Sequence, residues 1–365
     1  MATEAGLRLF AEPDTETGPT TRSLRLTTPV LLLGITLLVS IVAGIALGPT
    51  TVALPDVLRY LGKAITGGSI HPDEVTSYSI VWNVRAPRVL LAAVVGAGLA
   101  LVGVAVQALV RNALADPFVL GISSGASVGA TAVVVFGFFA GLGVLALSTA
   151  AFLGALGATA LVYLAARSKL GLTPLRLVLT GVALAYGFQA VMSVLIFMSP
   201  NGQAAASVLF WLLGSLGAAT WASLPLAAAG VAVGMVVLVR KATTLDVMAM
   251  GDETAASLGT DVASLRRWLF LLTAVVTGLL VAVSGAIGFV GLVLPHVVRM
   301  VVGSGHRNVL IVAPLAGASF LVWVDLLART LVAPEELPLG VITALIGVPV
   351  FIVVMRRRGY SFGGR

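Results

Sequence analysis

The stretch RAPRVLLAAVVGAGLALVGVAVQALVR, running from Arg85 to Arg111, decides the fold. Between Arg88 and Arg111 it carries no charged side chain. A helix over residues 89–110 rises about 1.5 Å per residue, so it reaches roughly 33 Å, enough to cross the hydrocarbon core of a bilayer. Uncharged apolar runs recur outward from it, at about 29–47, 117–137, 143–166, 177–198, 221–239 and 268–286. Two more follow at about 308–331 and 338–355, the first holding Asp325. The segment 286–303 is interrupted by Gly288, Gly291, Pro295 and Arg299, yet 268–303 is too long for one helix. It reads as a short tenth span, whose irregular backbone is tolerated where protein or water satisfies it. Residues 204–218 are apolar but short and read as a helix on, or dipping into, the outer face.

The expected fold is therefore an all-α polytopic membrane protein with ten transmembrane helices over residues 29–356. A polar tail, 1–28, precedes them and a second tail, 357–365, follows. Composition agrees: of 365 residues, 59% are hydrophobic and 10% charged, with a mean hydropathy of +1.08. Soluble domains average roughly 45–50% apolar and 25% charged, so a soluble enzyme and a disordered chain are both excluded. The chain has no cysteine, which removes disulfides and thiolate chemistry.

The net charge of +7 and pI near 10.4 would suggest nucleic acid in a soluble protein. Here they record orientation. With ten spans and both termini cytoplasmic, 17 of the 22 Lys and Arg residues fall on cytoplasmic segments. The five on the other side are Arg59, Lys63, Arg85, Arg88 and Arg329. Asp325 lies inside a run, four residues before Arg329, so it is either an ion pair on one helix face or a proton site. Gly121, Gly125 and Gly129, and separately Gly230 and Gly234, repeat at the spacing that lets helix backbones approach closely, either within the bundle or at a subunit contact.

Enzyme motifs are missing. Gly62-Lys63 is followed by alanine and lacks the upstream glycines of a phosphate loop. His71, His296 and His306 are scattered, and no serine–histidine arrangement is evident. The chain is expected to hold no nucleotide, metal or other cofactor and to be no enzyme. One long cytoplasmic loop, about 244–265, has internal order. Gly251 can break one short helix and Gly259 can end another, while Asp252 and Glu253 suit the first turn of the second. Met248, Met250, Ala255 and Leu258 offer a small apolar surface, although a solvated linker is the plainer alternative.

Three long segments together carry a family resemblance. They are Arg85 through GAGLALVGVAVQALVRNALADPFVLGISSGA to Ala126, then GFVGLVLPHVVR (Gly288–Arg299) with AGASFLVWVDLLAR ending at Arg329, and finally Glu336 to Phe351. Their order, over about residues 29–356, resembles the FecCD-type permeases, the membrane subunits of ABC importers for ferric siderophores, haem and vitamin B12. Ala113 departs from the usual proline and could loosen the turn there. The resemblance implies a permease in the cytoplasmic membrane, paired with an identical or sister permease. It implies two separate ATP-binding subunits, which use the ATP, and an extracytoplasmic substrate-binding protein. It makes Arg85, Arg88 and Arg329 docking residues for that binding protein; from the residues alone, interfacial snorkelling is equally open. It makes Met248, Met250, Gly251, Asp252, Glu253, Ala255, Leu258 and Gly259 the coupling surface for the ATPase. It sets a gate or pathway at Gly121, Ser123, Ser124 and Gly125 and at Thr173 to Arg176, where helix packing explains the small residues as well. A ferric siderophore is the expected cargo, with haem or vitamin B12 as alternatives. An ion-coupled secondary transporter has only Asp325 as a foothold, and an intramembrane hydrolase has no nucleophile–base pair.

Overall fold

The computed structural model describes residues 26–168, 171–199 and 202–357. Most of the N-terminal tail and nearly all of the C-terminal tail, with Arg8, Arg22, Arg25, Lys169, Arg358 and Arg365 of the charge assignment, lie outside the described residues. The described chain is helical throughout. In order it forms α1 (Thr27–Ala46), α2 (Leu54–Thr66), α3 (Val75–Ser79), a π turn (Ile80–Arg85), α4 (Ala86–Val110), α5 (Ile122–Phe136), α6 (Ala146–Ala166) and α7 (Pro174–Phe197). It continues as α8 (Gly202–Leu212), α9 (Leu224–Arg240), α10 (Ala242–Ala249), α11 (Asp252–Ser257), α12 (Val262–Ser284), α13 (Val290–Val302), α14 (His306–Ala328) and α15 (Leu339–Arg357).

A helix lies on each of the ten apolar runs. Among the described residues seven helical segments are long and apolar enough to cross a membrane, and an eighth if α9 and α10, bent by 62°, form one span. The runs at 117–137 and 286–303 give shorter helices, α5 and α13. Each is shortened for a visible reason. Pro117–Leu120 forms a separate 3-10 turn that ends at Gly121, and α13 cannot start before Phe289, which adopts a left-handed conformation (φ 67°).

α4 is the mast of the bundle. A helix that is apolar all round belongs inside, and α4 is buried on nearly every side, against α9, α12, α13 and α14. Its glycines allow this. A Cβ on Gly96 would run into the carbonyl oxygen of Gly317 on α14, and one on Gly103 into that of Gly291 on α13. Two of the glycine repeats do the same elsewhere: Gly125 and Gly129 seat α5 on α6 at Gly154 and Ala150, and Gly230 and Gly234 meet Leu279 and Val276 of α12. The repeats thus serve packing within the chain.

The end of the bundle expected to face outward has an element that hydrophobic runs could not reveal. α2 is amphipathic, with Val57 and Tyr60 buried and Arg59 paired to Asp56 at 2.8 Å and to Glu74 at 2.5 Å. Trp82 and Trp221 meet at a tilt of 39° with ring centroids 4.6 Å apart, and the Trp221 indole N–H donates to the Trp82 carbonyl. The segment 204–218 is the short helix α8 followed by a loop tucked into the bundle, where Ser215 N–H donates to Ser284 and Gly340 N–H to Leu213.

Candidate functional site

Three groups of side chains stand out: a buried ion cluster at the end expected to face outward, a small pocket, and a braced helix pair at the end expected to face inward. The outer cluster gathers three of the five exceptional cations. Arg88 donates from Nε to Asp325 at 2.8 Å and from Nη1 to Glu336 at 2.7 Å. Arg329 faces the other Asp325 oxygen at 3.2 Å and donates to the Gly44 carbonyl. Arg85 turns inward onto the Ile45, Ala46 and Thr50 carbonyls, closing the open C-terminus of α1. The three arginines are 3%, 6% and 3% exposed, in the order Arg85, Arg88, Arg329, and Asp325 is fully buried.

Within the single chain none of the three arginines stands free. Their donors are committed to carboxylates and carbonyls of the same chain, because an unpaired buried cation is far costlier than a surface one. Asp325 and Arg329 do pair on one helix face, as their spacing predicts. The partners reaching in from α4 and from Glu336 are far away in sequence and carried no local signal.

The pocket, of about 210 Å³, is lined by Ser123, Ser124 and Ser127 of α5, Gln189 and Met192 of α7, and Leu212 of α8. Its polar groups are hydroxyls and one amide, without formal charge. Of the predicted pathway residues, Ser123 and Ser124 line it. Gly121 and Gly125 sit beside it in helix contacts with Gly181 and with Gly154. Thr173 caps α7, its hydroxyl accepting from Arg176 N–H, and Arg176 is exposed below the pocket. Gln189, Met192 and Leu212 were not anticipated, since nothing in the sequence pairs them with α5.

The turn leading into α5 is held despite Ala113. Asn112 accepts from Leu114 N–H at 2.9 Å and Asp116 from Phe118 N–H at 2.8 Å. Asp116 also accepts from Phe289 N–H, and burial pushes its pKa up to about 6. One carboxyl thus ties the turn before α5 to the break before α13.

At the inner end, α10 stops at Met250 and Gly251 (φ 116°) opens α11. α11 then ends in a paired cap, Thr260 N–H to Ala255 and Gly259 N–H to Ala256, with Gly259 at φ 81°. The glycine punctuation is as the sequence predicts. Met248 and Ala255 are fully buried anchors, while Met250 and Leu258 are 63% and 61% exposed; Glu253 is exposed too. Asp252 reaches Arg266 of α12 at 2.9 Å and Arg111 at 3.5 Å. Asp246 accepts from the backbone N–H of His306 at 2.9 Å and meets its Nδ1 at 2.6 Å. A solvated linker would have no such bracing.

The FecCD transport family matches residues 36–357. The chain belongs to this family. It is 39% identical to the hemin transport system permease HmuU of Yersinia pestis, over 92% of this chain and 98% of that one. It is 43% identical to the cobalamin import permease BtuC of Halobacterium salinarum, over 78% and 75% respectively. A solved structure described as an inward-facing ABC transporter of metal-chelate type superposes with a TM-score of 0.79 at 32% identity, covering 91% of this chain and all of the other. This FecCD chain is therefore a multi-pass membrane permease of an ABC importer.

Proposed function

We propose that the chain carries a ferric siderophore inward across the cytoplasmic membrane. In this reading it has ten spans with both termini cytoplasmic and pairs with a second permease subunit, identical or sister. Two ATP-binding subunits supply the energy and hold the ATP, and this chain holds no cofactor. An extracytoplasmic binding protein delivers the cargo to the outer end. There the cluster of Arg85, Arg88 and Arg329 keeps the docking face in shape from beneath.

The observation that carries the reading is the braced pair α10–α11. Exposed Met250 and Leu258, fixed from below by Met248 and Ala255, form a small rigid apolar surface suited to a partner's cleft. A chelate brings its own metal ligands and needs only weak contacts on the way, which suits the uncharged pocket of Ser123, Ser124 and Gln189. Haem or cobalamin is the second reading, favoured by the substrates named for the two relatives.

The test is uptake by liposomes holding the complete complex, with radiolabelled ferric siderophore, haem and cobalamin offered in parallel. ATP-dependent, vanadate-sensitive uptake of the siderophore is expected. Uptake of haem or cobalamin alone moves the chain to the second reading. Uptake driven by an ion gradient without the ATPase refutes both.

A further inference from the structure

Arg266 sits near the start of α12, is 4% exposed, and divides its guanidinium between two other elements. Nη2 donates to both carboxylate oxygens of Asp252, at 2.9 and 3.1 Å. Nη1 donates to the Leu172 carbonyl at 2.9 Å. Asp252 is the first residue of α11, half of the braced pair, and Leu172 immediately precedes Thr173, the cap of α7. One rigid planar fork thus joins the surface offered to the ATPase to the helix that walls the pocket.

α7 is the less enclosed wall of the pocket within the single chain. Only Leu177, Gly181 and Met192 of it are buried, and Leu179, Tyr186 and Phe197 are 60%, 75% and 90% exposed. α5, the opposite wall, is seated on α6 along its length through Gly125 and Gly129, whereas α7 meets the turn before α5 by close glycine contact at Gly181, near its N-terminal end. A displacement of α11 passed through Arg266 therefore changes the gap between α5 and α7.

We propose that Arg266 is the positioning residue that couples α11 to α7, so that the nucleotide state of the ATPase sets the opening of the serine-lined pocket. This rests on the importer reading above. Lysine cannot replace it: a single ammonium has no two-pronged fork to hold a carboxylate and a carbonyl on separate elements.

The absence of cysteine makes the test direct. Ser124→Cys places one thiol in the pocket of the complex, assembled with its ATPase and with binding protein present. Its labelling rate by a maleimide is compared in the nucleotide-free and vanadate-trapped states. With Arg266 intact the two rates should differ by about tenfold, within the usual range for coupled sites. In R266M and R266K the difference should collapse while ATP hydrolysis continues. D252N, altered at the half-exposed end of the link, should lose the labelling difference as well, even if the Arg266 variants fold poorly. Nucleotide-dependent labelling that persists in R266M or D252N overturns the link. Equal rates in both states with Arg266 intact overturn it as well. Failure of the chain to assemble with an ATPase would instead strike the importer reading.

Discussion

Replacing Asp325 by asparagine tests the outer cluster most sharply. Two guanidiniums, those of Arg88 and Arg329, face two carboxylates there, and Asp325 is the carboxylate that is fully buried. Breaking a buried pair costs about 3–5 kcal/mol, because the abandoned charge cannot return to water, whereas a surface pair is worth about 0–1 kcal/mol. Arg88 keeps Glu336 at 2.7 Å and Arg329 keeps the Gly44 carbonyl, so the loss belongs at the lower end, about 3 kcal/mol. Glu336→Gln is the matched control. That side chain is 35% exposed and its amide oxygen can still accept from Arg88, so about 0.5–1 kcal/mol is expected. Reversible unfolding in mixed micelles, titrated with dodecyl sulfate and followed by far-ultraviolet circular dichroism, gives both values. A loss below about 1 kcal/mol for Asp325→Asn, or equal losses for the two variants, would refute the argument that burial sets the magnitude. The cluster also changes how charge reversal at Arg85 and Arg88 must be read: weakened binding-protein association in such variants reports a damaged outer end before it reports lost contacts.

Asp116→Asn should stabilise the protein near pH 8. The raised pKa means that the folded state prefers the protonated acid, so its contribution is complete below about pH 4 and lost as pH climbs through about 6; the gap between variant and parent in thermal unfolding should close on acidification. Gly103→Ala drives a methyl into the backbone of α13 and should cost about 1–3 kcal/mol in the same micelle titration, whereas Gly157→Ala, with open space around it, should cost nothing. Leu258→Asp should leave unfolding within about 0.5 kcal/mol of the parent, since the side chain is exposed, yet lower substrate-stimulated ATP hydrolysis in the assembled complex by about tenfold. Undiminished stimulation would remove Leu258 from the partner surface.

What could be read in the sequence is what depends on neighbours along the chain. Apolar runs announced α1, α4 to α7, α9 and α12 to α15, and Gly251 and Gly259 announced two short helices because a left-handed turn needs glycine. The Asp325–Arg329 pair followed from a spacing of four. Three things did not follow. α2 is a surface helix whose pattern is a stripe rather than a run, so a search for spans passes over it. The fates of Arg85 and Arg88 depend on α1, α14 and Glu336, which only tertiary packing brings close. Arg266 looked like one of several cytoplasmic cations supporting orientation, and its role appears only when Asp252 and Leu172 are seen to converge on it.

The pairing of Arg88 with Asp325 spans 237 residues, and the contact of Gly96 with Gly317 is nearly as distant. A ribosome adding about 5–20 residues per second needs roughly 10–50 s to make the intervening chain. For that interval the most deeply buried helix of the finished protein exists without the neighbour that closes it, and Arg88 without its buried counter-ion. The innermost helix is therefore made early and enclosed late. The early helices wait in the lipid or beside the insertion machinery, and the mast is enclosed only when α14 arrives. A nascent chain stopped before residue 306 is left with an arginine lacking both of its carboxylate partners and with an open glycine seam.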